Sequence, residues 1–306
     1  VSEPRGRTVI GISGWRYAGW RGSFYPKGLA QRRELEYVGE RLDSVEVNGT
    51  FYSLQRPESF RRWQTEVPPG FVFAVKGGRY ITHMLRLRGV EGALANYFAQ
   101  GVLALGDGLG PVLWQLPERV AFDADELGAF FALLPRTLGE ARALAQHHDA
   151  RLDGRAWLEL GDPSPAAHDA DDDFDRGSTH PVAAVDPARP IEHCLEVRHP
   201  SFESDAAMQA LRDAGVGLVI ADTAGRFPEP REVTSGIVYI RLHGAEELYT
   251  SGYDDALLER WARDIDGWRT GATTPDGKPR EVYAYFDNDV KAHAPFDAMR
   301  LRELLR

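Results

Sequence analysis

The chain has 306 residues, 43% of them hydrophobic, a net charge of −10 and one cysteine. A single cysteine excludes an intramolecular disulfide framework and suits a reducing compartment, and the lack of any apolar run of about 18 residues excludes a helical membrane span. Val1 to Arg7 is too short and polar for a secretory signal, so a cytoplasmic protein with no membrane partner is expected.

Eight short apolar runs, rich in β-branched and aromatic residues, each break off at a polar or charged group and predict eight buried strands. The first is Val9–Ile12, before Ser13, and a helix over Arg32–Leu42 follows with Leu35, Val38 and Leu42 on one face. The second, Ser44–Val47, carries Glu46, leads into Asn48 and precedes a helix at Pro57–Glu66. Phe71–Val75 stops before Lys76 and is followed by a helix at Leu94–Leu105; Pro111–Trp114 stops before Gln115 and is followed by one at Glu126–Leu134. Ile191–Leu195 runs into Glu196 and Arg198, then a helix at Ser204–Ala214. Gly217–Ala221 ends at Asp222, and Ile237–Ile240 at Arg241 and His243, with a helix at Asp254–Trp268. Val282–Tyr285 ends at Asp287 and Asn288, and a helix at Asp297–Leu305 closes the chain. This alternation predicts one α/β domain over residues 1–306, a (β/α)8 TIM-type barrel. An open doubly wound sheet is the alternative, but Gly11-Ile12-Ser13-Gly14 lacks the G-x-G-x-x-G spacing that often accompanies it.

Charge is unevenly distributed. Residues 161–190 hold seven aspartates against Arg176 and Arg189, together with five prolines, which predicts an acidic, Pro-rich surface insertion before the fifth strand. Residues 56–88 carry a local charge of +5, including Lys76 and Arg79, and suggest a site for a small anionic ligand. Cys194 lies inside an apolar run and reads as a buried, inert thiol.

Side chains two apart on a strand share a face, so Glu46 with Asn48, Glu196 with Arg198, and Arg241 with His243 would converge if the strands end in one barrel mouth. Candidates for moving protons are Glu46, Glu196, Asp222, His243 and Asp287. Candidates for holding substrate are Trp15, Asn48, Tyr52, Lys76, Arg79, Gln115, Arg198, Arg241 and Asn288. Trp15 enters because it lies just past Ser13 in an aromatic, glycine-rich loop; Trp20 and Phe24 read as packing on the rim. His83, His199, His243 and His293 with the acids form an oxygen and nitrogen set compatible with a divalent metal, although no H-x-H or H-E-x-x-H spacing pins two ligands on one element. A metal-free site, with cations binding phosphate or carboxylate and acids moving protons, requires no cofactor. The leading expectation is an enzyme of hydrolase or lyase type acting at the C-terminal mouth of the barrel on an anionic substrate, with phosphate or carboxylate as the charged group. The alternatives are a metal-dependent phosphodiesterase that grips nucleic acid through residues 56–88 and stacks bases on Trp15, Tyr52 or Tyr80, and a non-catalytic ligand-binding barrel. A carboxylate-pair glycosidase fits less well, because a neutral sugar does not need so many cations.

Seven motifs in order resemble the YecE-like family, catalogued as domain of unknown function 72: GISGWRYAGWRGSFYP at Gly11–Pro26, VEVNGTFY at Val45–Tyr52, FVFAVKGGRYITH at Phe71–His83, LGPVLWQLP at Leu109–Pro117, LEVRHPSF at Leu195–Phe202, YIRLHG at Tyr239–Gly244, and YAYFDND with HAP between Tyr283 and Pro295. The resemblance spans the chain apart from about residues 136–190. It implies a β/α barrel with a polar site at the strand ends and carries no established reaction. Gly49 stands where that family usually has serine, and Gly77 where alanine is common.

Overall fold

A computed structural model of the chain describes residues 5–161 and 185–306. Every apolar run becomes a strand, and the polar group that ends the run is often itself part of the ladder. The strands are β1 (Thr8–Ser13), β2 (Ser44–Val47), β3 (Val72–Lys76), β4 (Leu109–Gln115), β5 (His193–Glu196), β6 (Gly217–Asp222), β7 (Ile237–Leu242) and β8 (Glu281–Phe286). They are parallel and close in chain order, β8 pairing back onto β1. The chain is therefore a (β/α)8-type barrel.

The helices are α1 (Glu34–Gly39), α2 (Gly49–Tyr52), α3 (Pro57–Thr65), α4 (Glu91–Ala99), α5 (Ala124–Ala132), α6 (Leu138–Ala145), α7 (Asp205–Ala214), α8 (Asp255–Thr270) and α9 (His293–Leu304). Local chemistry sets their ends: the Ser204 hydroxyl accepts from the Ala207 amide at the start of α7, and Gly215, at φ 60°, closes it. The helix expected over Leu94–Leu105 is split, because Gly101 at φ 123° leaves the helical region and a 3-10 segment, Val102–Gly108, takes over. Helix α6 was not anticipated. No helix joins β6 to β7; the connection is irregular.

The expected insertion lies mostly in residues 162–184, outside the described residues. Its described ends meet, since Gly161 and Val185 both lie against Gly106. Of residues 185–190, Val185 is buried and the Arg189 guanidinium donates to the carbonyls of Gly106, Asp107 and Leu109, while Asp186, Pro187, Ala188 and Pro190 are exposed.

Two apolar layers follow from the strand period. Outward-facing residues pack with the helices in the main core, while Val9, Val72, Ala74, Leu113, Cys194, Val219, Ala221, Ile237, Tyr239, Tyr283 and Tyr285 fill the barrel interior. Burial pushes the Cys194 thiol well above its ordinary pKa, as expected for an inert group. On the outer face Trp114 Nε1 donates to His193 Nδ1 at 3.1 Å, and His193 Nε2 donates to the Pro135 carbonyl at 2.7 Å. Burial holds this imidazole down to about 4, so it stays neutral.

Gly77 has a packing reason that its strand pattern does not show. A Cβ there would lie 2.2 Å from the Trp114 ring, which is fully buried between Tyr97 and Phe130 and has nowhere to move. Gly77→Ala should therefore destabilise by about 1–3 kcal/mol, the usual penalty for overpacking. The check is the urea midpoint at unchanged m-value; Trp114→Leu in the same chain should remove most of the penalty.

Candidate functional site at the barrel mouth

Continuing each inward-facing row of the barrel by one step brings polar groups to the C-terminal ends of the strands. Ser13 stands beside Glu46 in the β1–β2 register, Gln115 beside Glu196 in β4–β5, and Lys76 ends β3. Arg241 lies two residues beyond the inward Tyr239 on β7, and Asp287 two beyond the inward Tyr285 at the end of β8.

Arg241 is the centre of this layer. Only 1% exposed, it donates from Nε to Glu46 Oε2 at 3.0 Å, from Nη1 to Glu196 Oε2 at 2.7 Å, and from Nη2 to Glu46 Oε1 at 2.8 Å, Asp287 Oδ2 at 2.9 Å and Ser13 Oγ at 3.1 Å. Both planar edges of the guanidinium are thereby engaged, and Arg241 holds carboxylates rather than a substrate anion.

Glu46 is equally saturated. Its Oε1 also accepts from the Ser13 hydroxyl at 2.7 Å and its Oε2 from the Tyr239 hydroxyl at 2.7 Å, with no exposure at all. Both oxygens of Glu46, which its sequence context puts forward for moving protons, are thus engaged by fixed donors of the protein. Asn48 Nδ2 extends the row to Ser13 Oγ at 2.8 Å, while its buried Oδ1 has no partner among the described residues.

Glu196 accepts from Arg241 and, through Oε1, from Arg198 Nε and Nη2 at 3.1 and 3.0 Å. Burial alone would raise its pKa; Arg241 and then Arg198 outweigh burial and hold it well below the ordinary carboxylate range. Asp287 follows the same logic, with Arg241 and then His243 overcoming burial. The His243 ring is fully buried, with Nδ1 2.9 Å from Asp287 Oδ2 but off the line of a hydrogen bond. Asp287 Oδ1 has no hydrogen-bond partner among the described residues.

Lys76 is different in kind. It is 8% exposed, its Nζ lies 4.7 Å from the centre of the Phe51 ring, and among the described residues its ammonium has neither a hydrogen bond nor an ion pair. Burial, followed by repulsion from Arg241, lowers its pKa to about 8 against the opposing pull of Glu46, Glu196 and Asp287. Nearby His83 packs edge-on against Phe51 at 5.1 Å and is held down to about 4 by burial, then by Arg198, Lys76 and Arg119. Gln115 is buried in the same layer with no partner for its amide among the described residues.

The outer rim is aromatic and cationic. Tyr52 is 66% exposed, with the Arg79 guanidinium 5.9 Å from its ring, and Arg79 makes no ion pair among the described residues. Arg198 spans rim and interior: its guanidinium lies 4.6 Å from the Phe227 ring, and its Nη1 has no partner among the described residues.

Three expected residues lie elsewhere. Asp222 falls on the opposite face of β6 from the inward Val219 and Ala221; its Oδ1 accepts from the Ala224 amide at 3.4 Å, and it lines an outer groove beside Trp261 of α8. Burial raises its pKa. Trp15 is 6% exposed and packs edge-on against Trp63 at 5.3 Å, so it is core. Asn288 is fully buried and ties Ser251 to Asp297 through Nδ2. His199 caps the turn before α7, and His293 begins α9. Among the described residues no three His, Cys, Asp or Glu side chains form a metal-ligating group, and the oxygens closest to such a role are already held by Arg241. Tyr239 and Ser13 escaped the sequence reading although both share a strand face with a chosen residue or its neighbour; Phe51 had no such signal.

The profile of a protein family described as "Protein of unknown function DUF72" matches residues 9–306. Over 131 residues, 43% of this chain and 44% of the relative, the sequence is 28% identical to the UPF0759 protein YecE of Escherichia coli K12. It is 32% identical to the UPF0759 protein YunF of Bacillus subtilis 168 over 73 residues, 24% of this chain and 25% of that protein. The matched stretches thus span less than half the length of either relative. A DUF72 family protein of Thermotoga maritima MSB8 superposes with a TM-score of 0.69 at 21% identity, over 98% of this chain and 99% of that one. Another, of Enterococcus faecalis V583, gives 0.64 at 13% identity, over 97% and 95%. At these identities the structural likeness speaks for the fold alone.

The hub has a measurable signature. Arg241→Met leaves Glu46 and Asp287 buried without their counter-ion and Glu196 with Arg198 alone, and should cost about 3–5 kcal/mol near neutral pH. In the wild type the depressed Glu196 and Asp287 contribute stability that is present above the unfolded-state value, about pH 4, and lost below it. In the variant those carboxyls lose the main charge that outweighs burial, so their pKa values rise and protonation costs less stability as pH falls. The gap in melting temperature between the two proteins should therefore narrow as pH falls from about 7 to about 4. A constant gap would mean that Arg241 acts by packing alone.

Proposed function

We propose, for a chain that belongs to the DUF72 family of proteins of unknown function, an acid–base enzyme of hydrolase or lyase type that takes a small anionic substrate at the C-terminal mouth of the barrel. One observation carries the reading: the buried carboxylates are committed to Arg241, while the cations on the β3 and β5 side are not fully committed. Arg79 has no ion pair among the described residues and Arg198 keeps Nη1 open toward the mouth, so an anion arriving there meets donors whose charge is not already balanced at close range.

Proton transfer falls to groups that a substrate can reach. Asp287 is held ionised and offers Oδ1 to a proton, while Lys76, lowered to about 8, exchanges its proton near neutrality and so is available in both its charged and its neutral form. Two groups whose surroundings push their pKa values apart hold different protonation states at one pH and can take different parts in one reaction. Glu46, Tyr239 and Ser13 support this by fixing Arg241, and through it Asp287.

Phosphate should raise the melting temperature of the wild type by mass action, and Arg198→Ala or Arg79→Ala should at least halve that rise. Sodium chloride at equal ionic strength controls for screening, and sulfate at high concentration for exclusion of salt from the surface. An equal rise in both variants would remove the anion reading. Once a substrate screen finds turnover, Asp287→Asn should lower kcat by about a hundredfold or more, the scale for losing a general base.

A further inference from the structure

The chain has four lysines, and three of them, Lys27, Lys278 and Lys291, lie exposed on the surface. Lys76 alone is buried, inside the polar layer of the barrel. Three carboxylates share that layer, yet none pairs with it, because Arg241 draws all three to itself. A buried ammonium without a counter-ion is a costly arrangement, and the fold actively maintains it. The Thr50 hydroxyl bridges the Val47 and Lys76 carbonyls at 3.0 and 2.6 Å, clamping helix α2 to the end of β3 and thereby seating the Phe51 ring over the amine. Burial away from water and a neighbouring guanidinium both disfavour the ammonium and so activate a lysine as a nucleophile.

We propose that Lys76 is an imine-forming nucleophile and that the substrate is an aldehyde or ketone bearing an anionic group, held by Arg198 and Arg79 while its carbonyl carbon meets Nζ. This rests on the anion-binding reading of the mouth and names the substrate class. The lone pair of neutral Nζ adds to the carbonyl carbon, and the carbonyl oxygen takes up a proton to give a carbinolamine. Loss of the nitrogen's proton and of hydroxide, together one water, leaves a C=N bond. Protonated, that bond draws the electron pair of an adjacent C–H bond to form an enamine, and the proton released goes to Asp287 Oδ1. No oxidant or reductant is needed. The lowered pKa agrees with this role: at pH 7 about one Lys76 in ten is neutral, against about one in 2,500 for an ordinary lysine.

The test is trapping by sodium borohydride at pH 7 with three probes, glyoxylate, pyruvate and glyceraldehyde 3-phosphate, followed by peptide mass spectrometry. The expected result with at least one probe is a reduced adduct on the Lys76 peptide, formed at least tenfold faster than on Lys27, Lys278 or Lys291 and slowed by inorganic phosphate. Lys76→Arg keeps the charge but cannot form the imine; it should lose the adduct while keeping the phosphate-induced rise in melting temperature. Lys76→Met serves as a second variant without charge. No adduct on Lys76 with any probe, or labelling no faster than on the exposed lysines, overturns the proposal. If phosphate stabilisation persists in that case, the anion site stands and the imine falls; if both are absent, both fall.

Discussion

The mouth depends on one burial problem. A guanidinium stays charged at any ordinary pH, and Arg241 is 1% exposed, so the fold must surround it with negative charge. Three carboxylates do so, and they arrive from three separate strands: Glu46 from β2, Glu196 from β5 and Asp287 from the end of β8. Only a closed barrel brings those strands around β7 at hydrogen-bonding distance. Such a network is weak evidence of net stability, because desolvation offsets much of the attraction, but it fixes side-chain positions with little freedom.

That rigidity has a chemical consequence within the same layer. Carboxylates held on Arg241 are not paired with Lys76, which leaves an amine in a polar chamber without a partner among the described residues and under an aromatic ring. The mouth thus combines saturated groups, Glu46 and Arg241, with groups that keep open valences among the described residues, Asp287 Oδ1, Gln115, Lys76 and Arg198 Nη1. The rim around it is built differently. Arg86 and Leu87 adopt φ of 52° and 68°, unusual for such side chains, in the loop that also presents Arg79, Tyr80 and His83. A rigid barrel carrying a chemically varied loop is the usual division between scaffold and function.

Legibility in the sequence tracked how local each cause was. Strands were readable because burial on both faces demands continuous apolar runs, and the polar residue ending each run marked the mouth. Glu46, Lys76, Gln115, Glu196, Arg198, Arg241 and Asp287 were found this way. Asp222 was misplaced because a run buried on both faces carries no alternation from which to read its phase; its last residue could point either way, and Ala221 took the inward side. Asn288 failed for the same reason, one residue out of phase with Asp287. Trp15 looked like a ligand contact because aromatics in a glycine-rich loop resemble a pocket wall, yet the partner that buries it, Trp63, comes from α3.

The sequence alone determined the strand count, the parallel barrel and the set of charged groups delivered to one end, since each follows from period and composition within a few residues. Only the tertiary structure decided which of those groups remain available. Whether a carboxylate is saturated or open, and whether a lysine is paired or alone, depends on distances between residues as far apart in the chain as Glu46 and Arg241. Electrostatic pairing is settled by proximity in space, and closure of the barrel is what creates that proximity.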